Sequence, residues 1–235
     1  MNTKHGWMYD ELKHSGVDYS DPTQVEVYDL NHQKFRDYEK GTKIIVNALG
    51  LGKEDTVIDM GAGTGAFAIN SAKYCKLIYA VDVSKAMLDY ASQKARKANI
   101  DNIVFCHSGF LTYEHDAEPA DAMVCVGVLH HLPDFWKLVG LRRSAQMLKP
   151  NGKLCLYDVV FPSDLTDYES RFDAWVRAIK SGIGEDFAKE VETHVRDEHS
   201  TYDWVMEGLL ERAGFIIKSA QYGDMFGATY ICERK

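Results

Sequence analysis

Residues Val57-Ile-Asp59-Met-Gly61-Ala62-Gly63-Thr-Gly65-Ala66 place a carboxylate two positions before three alternate glycines. Glycines in this pattern let a chain turn tightly and let its backbone approach a ligand closely. The same run satisfies the dinucleotide pattern G-x-G-x-x-G/A. A second acidic residue, Asp82, follows Ile78-Tyr-Ala-Val81 and precedes Val83-Ser84. A carboxylate at the end of a strand can accept hydrogen bonds from both hydroxyls of an adenosine ribose. Ser84 is a candidate N-cap for the stretch after it. Further on, Ala122-Met-Val-Cys-Val126 runs into Gly-Val-Leu-His130-His131-Leu-Pro-Asp134. Imidazole has an unperturbed pKa near 6.5, which suits proton transfer. His131 is the leading candidate for such a role, ahead of His130, His194 and His199. The five cysteines are scattered, with no Cys-x-x-Cys pair, and no metal-ligand set is visible from spacing.

These residues need elements to hold them. Short β-rich runs at Thr56–Met60, Leu77–Val81, Ile103–Cys106, Ala122–Val126 and Lys153–Tyr157 alternate with helical stretches near Gly65–Tyr74, Lys85–Ala98 and Phe135–Leu148. Such alternation predicts βαβ units and a parallel sheet. Nearly continuous apolar strands predict a sheet covered on both faces. Lys149-Pro-Asn-Gly152 reads as the turn between a helix and a strand. The first fifty residues carry amphipathic stretches at Thr3–His14 and Gln24–Leu49, the second broken near Gly41. Residues 162–198 form another polar, helical block. A helix near Tyr202–Arg212 precedes Gly214–Ile217 and Thr229–Cys232, which predict an antiparallel edge pair.

With these motifs in order, the chain resembles the class I S-adenosylmethionine-dependent methyltransferases. Asp59-Met-Gly61-Ala-Gly63-Thr-Gly65 looks like their first motif, and Asp82 matches the acidic end of their second strand. Ser108-Gly109-Phe110 falls on the loop after their third strand. The family usually has an Asp where this chain has Phe110, so the position carries over and that side-chain bond does not. Ala120–Asp134 resembles the fourth motif of the branch that includes ubiquinone and menaquinone biosynthesis methyltransferases. Leu148–Leu154 and Ala213-Gly-Phe215 with Thr229–Cys232 resemble the segments that follow. The match covers about residues 54–160 and 205–233.

The resemblance implies a Rossmann-like, doubly wound α/β fold. Its seven-stranded sheet is mostly parallel with an antiparallel C-terminal strand. It implies S-adenosyl-L-methionine as cofactor and S-adenosyl-L-homocysteine as product. Gly61, Ala62, Gly63 and Gly65 would wall the methionine part, and Asp59 would help hold its ammonium. Asp82 would take the ribose, while Val83 and Met87 cover the adenine. Gly109 and Phe110 lie beside the same ring, and Val126 offers a backbone carbonyl. Tyr28 would reach the cofactor from the N-terminal side, where Tyr9, His32 and Arg36 could also line the site. Phe161, Arg171, Trp175, Tyr202 and Trp204 could shape an acceptor pocket. Methyl transfer would proceed by in-line displacement. Two other readings stay open: a cofactor-binding protein without catalysis, and a nicotinamide-dependent oxidoreductase. An acidic residue two places before the first glycine, and the His-His-Leu-Pro run, speak against the latter.

Composition bounds the rest. The chain has 235 residues, 27 Lys plus Arg and 35 Asp plus Glu, for a net charge of −8. One domain over 1–235 is expected, with 1–50 as a helical cap and 162–198 as a helical lid. A net negative chain is a poor match for the phosphate backbone and for anionic membranes. The fourth motif also lacks the Asn/Asp-Pro-Pro-aromatic run of enzymes that methylate exocyclic amines. A small-molecule acceptor is therefore expected, with no nucleic-acid or membrane partner. Monomer and homodimer both stay open. Five scattered cysteines within apolar runs fit buried thiols in a reducing cytoplasm.

Overall fold

The sheet is built from runs whose side chains are apolar on both faces. In the computed structural model, which describes residues 5–13, 16, 25, 29, 37–223 and 225–235, β1 spans Thr56–Met60 and β2 Leu77–Asp82. β3 spans Ile103–His107, β4 Ala120–Val126 and β5 Leu148–Phe161. β6 is Thr201–Tyr202, β7 Phe215–Tyr222 and β8 Gly227–Arg234. The strand order is β3-β2-β1-β4-β5-β8-β7, with β6 pairing to β5 off this path. The first five strands run parallel, and β8 lies antiparallel to both β5 and β7.

Seven strands on the continuous path match the expectation, and the short β6 makes eight. It pairs Thr201 and Tyr202 with Val160 and Phe161, a contact between segments forty residues apart that no local period encodes. The C-terminal pair is antiparallel at the sheet edge as expected, with β8 inside against β5 and β7 outermost. β5 is longer than the predicted Lys153–Tyr157 because β8 pairs it through Val159 and β6 continues from Val160.

Successive strand residues face opposite sides. Ile58 and Met60 of β1 join a core with Leu141, Ala145, Met206 and Leu210. Val57 joins the other, with Leu49, Phe67 and Ala68. The helices that cover these faces are α1 (Tyr38–Leu49), α2 (Ala66–Ser71), α3 (Lys85–Lys97), α4 (Asp134–Met147) and α7 (Asp203–Ala213). Two more, α5 (Tyr168–Gly182) and α6 (Glu185–Asp197), form a hairpin between β5 and β6. Trp175, Ile179, Ala188 and Val191 close it around Phe226 in a third core.

Val25 and Asp29 are helical, in line with the Gln24–Leu49 expectation, and the break falls at Asp37, where α1 begins, rather than near Gly41. Asp37 caps α1 by accepting from Lys40 N at 2.9 Å, and Gly41 lies inside it rather than breaking it. Of the stretch before Asp37, only Val25 and Asp29 are described. Residues 5–13 form turns instead of the helix expected at Thr3–His14. All five cysteines are free thiols, four buried and Cys106 half-buried. Among the described residues no helix is long and apolar enough to cross a membrane.

Candidate active site

The strand order reverses between β1 and β4, and in open α/β sheets such a switch point is where ligands bind at the carboxyl ends of strands. β1 and β4 lie side by side there, with β2 and β3 on one flank and β5 on the other. The glycine run leaves β1 at this place. Gly61 N and Ala62 N donate to Val81 O at 2.7 and 2.9 Å, which folds the loop onto the end of β2. Gly61 has φ +78°, and a Cβ there would lie 2.9 Å from Val128 Cβ and closer still to its methyls. Gly63 has φ +52°, yet a Cβ on it would meet nothing within 4 Å. The first glycine is thus fixed by a close approach, while the second faces open space.

Two clefts flank the loop and share Gly61, Gly63 and Val126. The first adds Asp82, Val83, Ser84 and Met87 from the β2 end. It also adds Ser108, Gly109 and Phe110 after β3, and Gly127, Val128, His131 and Leu132 after β4. The second lies between the loop and α1, lined by Asp59, Ala62, Tyr38, Thr42, Phe67 and Tyr157 among others.

Asp82 ties the site together. Its Oδ2 accepts from Gly63 N and its Oδ1 from Ser84 N, both at 2.7 Å. Ser84 in turn caps α3 by accepting from Met87 N. Asp82 thus fastens the glycine loop to the start of α3. Asp59 has a different environment. It is buried, and its Oδ2 has no hydrogen-bond partner among the described residues. Burial, and then the nearby Asp82 charge, push its pKa up to about 7, against the Ala68 N–H that favours the charged form. An orphaned buried carboxyl on a cleft wall is costly in an empty site and suits a cationic ligand.

Another wall of the site is formed at the β4 and β5 ends. A 3-10 turn at Leu129–His131 follows β4. His130 Nδ1 meets Asp158 Oδ1 of β5 at 2.5 Å, and His130 N donates to Asp158 Oδ2 at 3.2 Å. Burial works to lower the His130 pKa, but the Asp158 charge and hydrogen bond raise it overall. Burial also works to raise that of Asp158, and the His130 charge lowers it overall. His131 is the ring that reaches the first cleft. Burial, then the neighbouring His130, lower its pKa to about 4.

Most of the residues singled out in the sequence converge here. Asp59, Gly61, Ala62, Gly63, Asp82, Val83, Met87, Gly109, Phe110, Val126 and His131 all line one cleft or the other. Gly65 lines neither. It is the N-cap of α2, and a Cβ on it would lie 2.9 Å from Ala91 Cβ, so its smallness serves helix packing. Tyr28, His32 and Arg36 lie outside the described residues. Tyr9 donates to His131 O at 3.1 Å. Trp175 is buried in the hairpin core, Phe161 packs on Phe172 and Phe226, and Arg171 lies 5.3 Å over the Phe226 ring. Tyr202 and Trp204 are exposed. None of these five lines either cleft.

The N-terminal contacts were not legible in the sequence. Glu11 lines the first cleft, accepts from Leu111 N at 3.0 Å and from Thr112 Oγ1 at 2.8 Å, and lies beside Gly109. Asp29 accepts from Thr64 Oγ1 at 2.5 Å and pairs with Lys94, which pins the glycine loop from outside. Neither acid sits in a motif. Gly127, with φ +69° at the end of β4, carried the one available signal, a glycine right after a buried strand.

A methyltransferase-domain family model matches residues 57–152. The chain is 25% identical over 207 residues to 27-O-demethylrifamycin SV methyltransferase of Amycolatopsis mediterranei, covering 79% of this chain and 75% of that one. It is 26% identical over 197 residues to an uncharacterized methyltransferase of Geobacillus kaustophilus, covering 84% of each. Among solved structures, a SAM-dependent methyltransferase from Aquifex aeolicus superposes with TM-score 0.65 at 19% identity, covering 92% of this chain and 99% of that chain. Magnesium protoporphyrin IX methyltransferase from Synechocystis, solved with bound SAH, superposes with TM-score 0.62 at 18% identity, covering 96% and 91%.

Proposed function

We propose that this chain is a class I S-adenosylmethionine-dependent methyltransferase and that it transfers a methyl group to a small-molecule acceptor by in-line displacement, with the acceptor seated on the His131 side of the first cleft. The observation that carries this reading is the pair of contrasting carboxylates across the glycine loop. Asp59 is buried with an orphaned oxygen, and Asp82 lines the first cleft at the β2 end, oriented by Gly63 N and Ser84 N. They fit the two polar ends of the cofactor. Asp59 would hold its ammonium, and Asp82 would accept from its ribose hydroxyls. Val83, Met87 and Phe110 would wall its base, and Gly63 leaves room beside the loop. When bound, S-adenosylmethionine supplies a methyl group made electrophilic by its sulfonium.

The chain's own contribution is orientation and exclusion of water, and positioning of this kind can supply ~7–11 kcal/mol at best. Val128, His131 and Leu132 form the wall opposite Asp82, and Glu11 and Lys13 reach the rim from the N-terminal side. The hairpin of α5 and α6, within the expected 162–198 lid, abuts the His130 side through His194 and Glu198. His131 is the polar group placed to meet an acceptor.

The same loop geometry disfavours a nicotinamide dinucleotide. The N–H groups of Gly61, Ala62, Gly63 and Gly65 already donate to Val81 O, Asp82 Oδ2 or Ala62 O, whereas a pyrophosphate needs such donors. The 27-O-demethylrifamycin SV and magnesium protoporphyrin IX methyltransferases are named for small organic acceptors. That, with the net charge of −8, supports a small acceptor here.

Calorimetric titration with S-adenosylhomocysteine tests the cofactor half, and transfer of labelled methyl into a metabolite extract tests the acceptor half. Tight NADH binding with no S-adenosylhomocysteine binding would sink the reading. Asp82→Ala should weaken S-adenosylhomocysteine binding about 10- to 100-fold, the size of a lost charge-assisted bond of ~1.5–3 kcal/mol. The loss of its bonds to Gly63 and Ser84 adds to this. An unchanged dissociation constant would place the ribose elsewhere.

A further inference from the structure

Behind the wall of the first cleft, three imidazoles gather around the Glu198 carboxylate, two of them in contact with its Oε2. His130 and His131 follow β4, His194 lies on α6, and Glu198 ends the lid hairpin. Glu198 Oε2 lies 3.2 Å from His130 Nε2 and also contacts His194 Nδ1. Ligand atoms of His130, His131 and Glu198 all lie within 4.8 Å of one another. Their side chains are nearly closed to solvent, at 10% exposure for His130 and 4% for Glu198.

The outer partners are equally specific. The far nitrogen of His130 is engaged by Asp158 at 2.5 Å, and the far nitrogen of His194 by Ser200 Oγ at 2.7 Å. A carboxylate behind an imidazole fixes its tautomer, so that the near nitrogen presents a lone pair. The His130 lone pair turned toward the Glu198 oxygen repels it unless a proton or a cation lies between them, while His194, backed by a hydroxyl that can donate or accept, can meet Glu198 in either tautomer. A divalent cation between His130, His131 and Glu198 would satisfy that carboxylate and the imidazole lone pairs together.

We propose that His130, His131 and Glu198 bind a divalent transition-metal ion of the zinc class, with His194 beside Glu198 as a further donor and Asp158 behind His130. Imidazole and carboxylate donors in this ratio suit zinc, iron(II) or cobalt(II) and leave coordination positions open. His131 belongs both to this cluster and to the cleft wall. The ion therefore lies next to the acceptor space, and the acceptor class it selects carries a ligating hydroxyl or thiol. That last clause rests on the methyl-transfer reading, whereas the ion site stands on its own geometry.

The test is a titration of the chelator-stripped full chain with cobalt(II), followed by its visible d–d bands. One equivalent should bind. His131→Gln and Glu198→Gln should each weaken binding by roughly 100-fold, and Asp158→Asn by about 10- to 100-fold. His115→Gln, remote from the cluster, should bind as the unaltered chain does. Circular dichroism melts check that each variant folds, and should Glu198→Gln fail to fold, His131→Gln decides. Folded protein that takes up no stoichiometric cobalt overturns the site, as does cobalt binding unaffected by these substitutions. In that case the cluster only fastens the hairpin to β4 and β5. S-adenosylhomocysteine binding to the metal-free chain is measured in parallel. Its loss alongside intact cobalt binding would overturn the methyl-transfer reading and leave the ion site standing.

Discussion

Replacing Asp59 with asparagine should stabilise the ligand-free protein and, at the same time, weaken S-adenosylhomocysteine binding by at least about 30-fold. The two effects share one cause. Asp59 is buried beside Asp82, and its carboxyl pKa stands near 7 instead of 3.8. A carboxyl raised in the folded state favours the protonated form. Folding stability therefore falls as pH rises from about 4 through about 7, and the full cost is present above that. Three pKa units correspond to roughly 4 kcal/mol, and asparagine keeps the shape and an acceptor for Ala68 N–H without the charge. The melting temperature of Asp59→Asn should exceed that of the unaltered chain at pH 8 and match it more closely at pH 4. A bound ammonium, in contrast, needs the carboxylate. Removing one partner of a buried charge pair costs about 2 kcal/mol or more.

The pH profile carries the same sign. Below pH 7 the protonated Asp59 must lose its proton to meet an ammonium, so affinity should fall toward tenfold per pH unit. The asparagine variant should lack that dependence. Asp82→Ala should move the profile to lower pH by removing the neighbouring charge. A lower melting point for Asp59→Asn at pH 8, or an unchanged dissociation constant, would show that this carboxylate is structural rather than a ligand.

Gly61→Ala is expected to cost about 2–5 kcal/mol of unfolding free energy in urea titrations. The methyl group would overlap the Val128 side chain, and the backbone sits at φ +78°. Overpacking contributes ~1–3 kcal/mol and the left-handed backbone ~1–2 kcal/mol. Because Gly61 lines both clefts, S-adenosylhomocysteine binding should fail as well. The double variant Gly61→Ala/Val128→Ala separates the causes. It should regain the packing share, after allowance for the Val128→Ala change alone, and keep the backbone share. No recovery at all would mean that Val128 is not what excludes a side chain there.

Both substitutions act on residues that the sequence displays openly, and the reason is local. A strand followed by alternate glycines, and an acidic residue at the end of the next strand, are short-range patterns. Each is set by the turn that the backbone must make within a few residues. Parallel pairing of β1, β2, β3, β4 and β5 was equally legible, because helices that cover both faces force apolar runs. Gly65 shows the limit of such a pattern. It sits in the motif, yet it serves the packing of α2 on α3 rather than a cleft.

Short-range patterns in the sequence account for the sheet, the loop and the two carboxylates that line the clefts on either side of it. Their positions follow from residues close along the chain and from the alternation of side chains in β1. What surrounds them comes from contacts between segments distant along the chain. The tertiary structure placed Glu11 on Leu111 and Thr112, Asp29 on Thr64, and β6 against the end of β5. It also set Glu198 beside His130, although 67 residues separate them, because the α5–α6 hairpin closes on Phe226 and brings its last turn back over β4 and β5. Contacts of this kind are selected by how buried faces fit together, and no spacing along the chain records that fit.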